Sequence, residues 1–118
     1  MTDLVAMLKE FQTKFDLPKG EFKPFWLGER QAMMYEELCE YIHASINNDK
    51  EKVLDSLVDL VYFAVGTATA LNWDFDEAFK RVHEANMKKV RAYTERSAVD
   101  LIKPTGWKAP DLSDLVKE

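Results

Sequence analysis

Apolar residues recur every three or four positions along most of the chain, which is the periodicity of an amphipathic α-helix. The first such stripe, in residues 3–15, consists of Leu4, Met7, Leu8, Phe11 and Phe15. Similar stripes follow in residues 29–46, in residues 50–71, and from the capping sequence Asp74-Phe-Asp-Glu77 to the basic end near Arg91. This pattern predicts an all-α four-helix bundle that forms a single domain over residues 1–118.

Two segments interrupt the helical pattern. Residues 18–28 are predicted to be a loop, because they hold Pro18, Gly20, Pro24 and Gly28 together with Phe22, Phe25 and Trp26. We expect the aromatic rings to pack on the core; the alternative is that they form a wall for a flat ligand such as a nucleobase. Residues 95–118 are predicted to be an irregular tail with a short helix after Asp111.

Gly66 lies inside the third predicted helix, where it costs about 1 kcal/mol relative to alanine. The usual reason for such a glycine is the close approach of another helix. A helix from a second subunit is one way to supply that approach.

The composition excludes several classes of protein. Of the 118 residues, 47% are hydrophobic and 31% are charged, as in an ordinary globular protein. The net charge of −5 offers no basic surface for nucleic acid. One cysteine, Cys39, rules out an internal disulfide and fits a cytoplasmic location. The longest apolar run, residues 60–65, is too short to span a membrane, so no membrane partner is expected.

Five carboxylates cluster on the second and third predicted helices: Glu36, Glu37, Glu40, Asp55 and Asp59. The first three fall within an arc of about 100°. The short connection Asn47-Asn-Asp49 makes the two helices antiparallel neighbours. Counting outward from residue 48 places Glu37 opposite Asp59, and Glu40 opposite Asp55.

A solvated acidic face is the simplest interpretation of these carboxylates, but Asp59 argues against it. Its neighbours include Leu57, Val58, Leu60 and Val61, so the sequence predicts burial. A buried carboxylate must be paired, neutralised or bound to a metal. No Lys or Arg occurs between Lys52 and Lys80. An all-oxygen cluster suits Mg²⁺ or Mn²⁺, and Mg²⁺ in turn binds phosphates.

The spacing Glu40-x-x-His43 raises the alternative of a di-iron centre. Such a centre needs a second Glu-x-x-His pair, and His83, the other histidine, has Lys80 three positions before it. The sequence therefore favours a Mg²⁺–carboxylate site, in which a carboxylate that does not hold metal could accept a proton from water.

Four segments resemble motifs of the all-α nucleoside triphosphate pyrophosphatases, which include MazG-like and phosphoribosyl-ATP pyrophosphohydrolase-like enzymes. Glu36-Glu-Leu-Cys-Glu40 matches the family's E-E-x-x-E motif, and Asp59 matches the last position of its E-x-x-D motif. Ser56 stands where that motif has Glu, with Asp55 one position earlier. The segments His83–Lys89 and Lys103–Leu112 resemble the motifs H-x-x-N-M-x-K and K-P-x-G-W-x-x-P-D.

The resemblance implies hydrolysis of an NTP, with dNTPs as the expected class, to a monophosphate and pyrophosphate. It implies that Glu37, Glu40 and Asp59 hold Mg²⁺, with Mn²⁺ as a substitute, and that Asp55 lies close by. Glu36 would orient or deprotonate the attacking water. The substrate would be contacted by Asn86, Lys89, Lys103 and Trp107. Family members work as dimers or tetramers. The alternatives are phosphoribosyl-ATP hydrolysis and a catalytically silent helical dimerisation module.

Overall fold

Four helices account for most of the structure, which is a computed structural model that describes residues 3–116. They are α1 (Asp3–Lys14), α2 (Pro24–Ile46), α3 (Lys50–Ala70) and α4 (Phe75–Asn86). Two short antiparallel strands, β1 (Val90–Ala92) and β2 (Asp100–Ile102), and a 3₁₀ turn at Ser113–Leu115 follow. The predicted all-α fold of four helices with a short irregular tail is thus confirmed.

The predicted helix boundaries needed two corrections. Helix α2 begins at Pro24, inside the predicted loop, because proline has the φ angle of the first helical turn and no N–H that would be left unsatisfied there. Helix α4 ends at Asn86, so Val90 is not part of its inner face. Val90 instead pairs with Ile102, and its branched side chain suits a strand.

The chain divides into two compact units, Met1–Phe75 and Asp76–Glu118. In the first unit, Val5 and Leu8 of α1 pack on Val65 of α3, with Tyr62 and Phe75 against them. The second unit contains the hairpin and the tail. The single-domain organisation stays a prediction.

Gly66 is buried where α1 and α2 both approach α3. A Cβ atom there would lie 3.1 Å from Arg30 Nη2 and 3.2 Å from Leu8 Cδ1. Gln12 Nε2 also donates a hydrogen bond to the Gly66 carbonyl at 3.1 Å. The close approach that Gly66 permits is therefore explained within one chain and gives no indication of a second subunit.

The aromatic loop packs in part, as expected. The Gly20 N–H donates to the Ala70 carbonyl at 2.9 Å, and a Cβ atom at Gly20 would lie 2.5 Å from the Trp26 ring. The Phe22 ring contacts the Trp73 ring, with centroids 5.7 Å apart. Phe25, by contrast, is 81% exposed and packs on no core.

Candidate active site

The α2–α3 hairpin fixes the relative positions of the acidic residues. At its open end, Arg30 Nε donates to Thr67 Oγ1 at 3.0 Å, and Arg30 Nη2 donates to the Phe63 carbonyl at 3.1 Å. At its closed end, the Asp49 N–H donates to the Ala44 carbonyl at 2.9 Å. With both ends anchored, the two helices are antiparallel and their register is set.

Glu37 is the centre of the acidic cluster. Burial, together with the charges of Asp59 and Glu40 and hydrogen bonding to those two acids, raises the pKa of Glu37 from 4.5 to about 7. Its Oε2 atom is buried and has no hydrogen-bond donor among the described residues. Two carboxyl groups can share a hydrogen bond only when one of them carries a proton. At neutral pH the site thus holds excess negative charge that a cation or a proton must balance.

The structure brings together three of the five acidic residues. Glu37, Glu40 and Asp59 interact directly. Glu36 and Asp55 are both exposed, and neither is among the residues that interact with Glu37. The expectation that Asp59 is buried was only partly right, since Asp59 is half-buried and α3 leaves Val58 and Val61 exposed. The buried carboxylate oxygen belongs to Glu37.

Ser56 is fully buried, and its Oγ atom has no hydrogen-bond partner in the described part of the chain. Successive helical residues point about 100° apart, so Asp55 is directed away from the interior position that Ser56 occupies. Asp55 instead lines an open cleft with Asp49 and Lys52.

The donor set suits a hard divalent cation, although the side chains are not arranged around one. Among residues 3–116, no three Cys, His, Asp or Glu side chains have the spacing of a complete metal-ligand set. The cluster nevertheless offers only carboxylate oxygens, and Glu37 Oε2 lacks the donor that a buried oxygen needs. Mg²⁺ prefers such oxygens and keeps several water ligands, so it requires few protein ligands.

The unit Asp76–Glu118 contains a second cluster, which is basic and aromatic. Trp107 Nε1 donates to the Ala85 carbonyl at 2.7 Å, which fixes the ring beside the end of α4. The Nζ atoms of Lys89 and Lys103 lie 5.4 and 5.1 Å from the centre of this ring. The Lys89 N–H donates to the carbonyl of Asn86, the last residue of α4. The four predicted substrate contacts thus lie in one neighbourhood.

Sequence reasoning missed one cation beside the acidic cluster, Lys52, which lines two clefts next to Glu40 and Asp55. The signal was available in the composition of the hairpin. Lys50 and Lys52 are the only Lys or Arg residues between positions 31 and 79.

Comparison with known proteins gives one match. The family model described as phosphoribosyl-ATP pyrophosphohydrolase matches residues 4–86, more than two thirds of the chain. This range includes both acidic motifs and Asn86, but it ends before Lys89, Lys103 and Trp107. No curated protein matches the chain.

Proposed function

The chain belongs to the phosphoribosyl-ATP pyrophosphohydrolase family, within the all-α NTP pyrophosphatase superfamily, and we propose that it hydrolyses nucleoside triphosphates, dNTPs foremost, to monophosphate and pyrophosphate. The family match supports a pyrophosphohydrolase of the MazG-like superfamily. The observation that carries the site assignment is Glu37, whose buried oxygen lacks a donor and whose neighbours are two further carboxylates. Phosphoribosyl-ATP is the second candidate substrate, because the matching family model bears that description.

Three carboxylates would hold the metal: Glu37, Glu40 and Asp59. Asp55, on the same helix as Asp59, would lie close by or take part. Bound Mg²⁺, or Mn²⁺ in its place, supplies positive charge that stabilises the phosphate oxygens during cleavage. The carboxylates of α2 and α3 would hold that charge.

Glu36 would act as the base. It is exposed and adjacent in sequence to Glu37, so its carboxylate is open to water. The water oxygen bonds to one phosphorus of the α–β bridge while that phosphorus loses its bond to the bridging oxygen. The bridging oxygen keeps the electron pair and leaves with the other product. Glu36 accepts the water's proton.

The Trp107 cluster would bind the substrate. Lys89 and Lys103 provide ammonium groups for phosphate oxygens, and Asn86 provides an amide for phosphate or sugar. Trp107 provides a flat apolar surface that suits a nucleobase. The two lysines already stack on the ring at 5.4 and 5.1 Å, so the ring and the charges are presented together.

A homo-oligomer completes the proposal. Large apolar side chains on α1 and α3 are exposed, among them Leu4, Met7, Val58 and Val61. Leu4, Val58 and Val61 line one apolar groove of about 260 Å³. A second copy of the chain would cover this surface.

A lipid partner fits this surface less well. Helix α3 is long and apolar enough to cross a membrane by length and composition, with a mean hydropathy of 1.4. It also carries Asp55 and Asp59, and a charged side chain at the centre of a bilayer costs about 3 kcal/mol. We therefore propose a protein partner, a cytoplasmic location and no nucleic-acid partner, in keeping with the net charge of −5.

A matched pair of substitutions tests the oligomer. Val58 and Val99 are 53% and 55% exposed, and Val99 is not among the residues that line the groove. Sedimentation velocity should show the parent and Val99→Lys as oligomers and Val58→Lys as a smaller species. A parent that sediments as a monomer contradicts the proposal.

A substrate panel tests the activity. The parent is incubated with Mg²⁺ and each dNTP, each NTP or phosphoribosyl-ATP, and the products are identified by mass spectrometry. We expect monophosphate and pyrophosphate without inorganic phosphate. Exclusive turnover of phosphoribosyl-ATP would select the second candidate. No turnover of any substrate, with Mg²⁺ or Mn²⁺, would leave the silent dimerisation module.

A further inference from the structure

A cleft of about 600 Å³ lies at the turn between α2 and α3, next to the acidic cluster. Its lining residues are Cys39, Glu40, His43, Ala44, Asn47, Asp49 and Lys52. Only Glu40 among them belongs to the carboxylates that would hold Mg²⁺. The remaining side chains have no role in the chemistry described above.

The turn holds this cleft in a defined conformation. Asn47 Nδ2 donates to the His43 carbonyl at 2.9 Å, and Asn48 adopts a positive φ of 55°. The Asp49 carboxylate accepts a hydrogen bond from the Lys52 N–H at 3.1 Å and so caps α3. These contacts fix the first turn of α3 and therefore the base of the Lys52 side chain.

The stability of the fold does not account for Lys52. Within residues 3–116, no carboxylate lies within ion-pair distance of its ammonium group. A cation in the first turn of a helix is also unfavourable, because the helix dipole is positive there. Lys50 has the same disadvantage but does not line the cleft.

The position of Lys52 is suited to an anion that is bound next to the carboxylates. Lys52 supplies the ammonium group in both clefts: it lies with Glu40 and Asp49 in the first, and with Asp49, Glu51 and Asp55 in the second, of about 610 Å³. A triphosphate would be repelled by the acidic cluster wherever the metal does not balance it. Between positions 31 and 79, Lys50 and Lys52 are the only basic residues apart from His43.

We propose that the cleft at the α2–α3 turn binds the pyrophosphate end of the substrate. The ammonium group of Lys52 and the imidazole of His43 would contact its phosphate oxygens. This inference rests on the proposed function, since the pyrophosphate end is the leaving group of that reaction. A charge-assisted hydrogen bond from the ammonium group would stabilise the negative charge that the leaving group gains.

Binding of inorganic pyrophosphate in the presence of Mg²⁺ tests the cleft without turnover. Isothermal titration calorimetry would compare the parent, Lys52→Gln, Lys52→Arg and the matched control Lys50→Gln. We expect Lys52→Gln to weaken pyrophosphate binding about tenfold, as for the loss of one hydrogen bond to a charged group. Lys52→Arg should bind within about threefold of the parent, and Lys50→Gln within about twofold. Circular dichroism would verify that all four proteins are folded.

Kinetics would then show where Lys52 acts. Lys52→Gln should raise the KM for the nucleotide, while Lys50→Gln should leave it unchanged. Pyrophosphate binding that is equal in Lys52→Gln and Lys50→Gln, or absent in the parent, would overturn the inference. A parent that binds pyrophosphate through Lys52 but hydrolyses no nucleotide would instead overturn the proposed function and leave the cleft in place.

Discussion

Two groups of carboxylates in this molecule have opposite electrostatic environments. Around Glu37, on the α2–α3 hairpin, burial and two neighbouring acids raise the pKa to about 7. In the unit Asp76–Glu118, each acid of the second group faces an arginine. Arg81 pairs with Glu77 at 3.0 Å and with Asp114 at 2.6 Å, and Arg96 pairs with Asp100. Hydrogen bonds from Arg96, from Thr94 and from the Leu101 N–H lower the pKa of Asp100 to about 2.

The comparison separates a structural role from a functional one. The arginine-paired acids are satisfied within the chain, so they need no ligand. The acids around Glu37 are close together, and none of them forms an ion pair with a residue in 3–116. Their mutual repulsion lowers the stability of the fold, and a bound metal would offset it.

Neutralising the unpaired acids should have the largest effect. Glu37→Gln or Asp59→Asn removes a metal ligand, and we expect turnover of the nucleotide to fall by about a thousandfold or more. The control is Glu10→Gln, an exposed acid of α1, which should keep the parental rate. Steady-state kinetics on proteins shown to be folded would measure this. Full activity in both variants would remove these residues from the site.

Mg²⁺ should stabilise the protein through the same residues. At a metal concentration of 100 times the Kd, the free energy of unfolding should rise by about 2.7 kcal/mol. Thermal unfolding with and without Mg²⁺ would measure the change. Glu37→Gln should lose most of this stabilisation, whereas Glu10→Gln should retain it.

The two groups of acids should respond to pH in opposite directions. The pKa of Glu37 is raised from 4.5 to about 7, so without metal its contribution to stability is complete below pH 4.5 and is lost as the pH rises through 7. The pKa of Asp100 is lowered from 3.8 to about 2, so its contribution is present above pH 3.8 and is lost as the pH falls towards 2. Chemical denaturation across this range would resolve both changes. Glu37→Gln should abolish the loss of stability near pH 7, and Asp100→Asn should abolish the loss towards pH 2. If either variant keeps the loss that its residue is expected to cause, that residue is not the source.

Breaking an arginine pair should have the smallest effect. Arg96 is exposed, and exposed ion pairs contribute little. Arg96→Gln should lower the thermal stability slightly and leave turnover within about twofold of the parent. A large loss of activity in this variant would mean that the paired acids also serve the reaction.

The sequence predicted the acidic site because helix periodicity and a short turn determine which side chains face each other. Counting from residue 48 placed Glu37 opposite Asp59, and the two residues do interact in the structure. The motif near the C-terminus likewise indicated Lys103 and Trp107, which lie together.

Hydrophobic periodicity alone does not determine which surfaces are covered, where the helices begin and end, or which strands pair. An apolar stripe such as Leu57, Val58 and Val61 cannot reveal whether the same chain or another copy covers it, so the expected burial of Asp59 was overestimated. The start of α2 at Pro24 and the end of α4 at Asn86 depend on local backbone preferences. Val90 pairs with Ile102, which is distant in the sequence, so no local pattern of residues predicts this pairing.

Proton release on Mg²⁺ binding tests the central claim, that the acids around Glu37 form the metal site. Calorimetric titration of Mg²⁺ in buffers of different ionisation enthalpy gives the number of protons released. Because the pKa of Glu37 is about 7, this carboxyl group is mostly protonated at pH 6 and ionised at pH 8.5. The parent should therefore release about one proton per metal at pH 6 and almost none at pH 8.5. Glu37→Gln should bind Mg²⁺ more weakly and release no proton at either pH. Metal binding with the same proton release in Glu37→Gln, or no Mg²⁺ binding by the parent, would contradict the account.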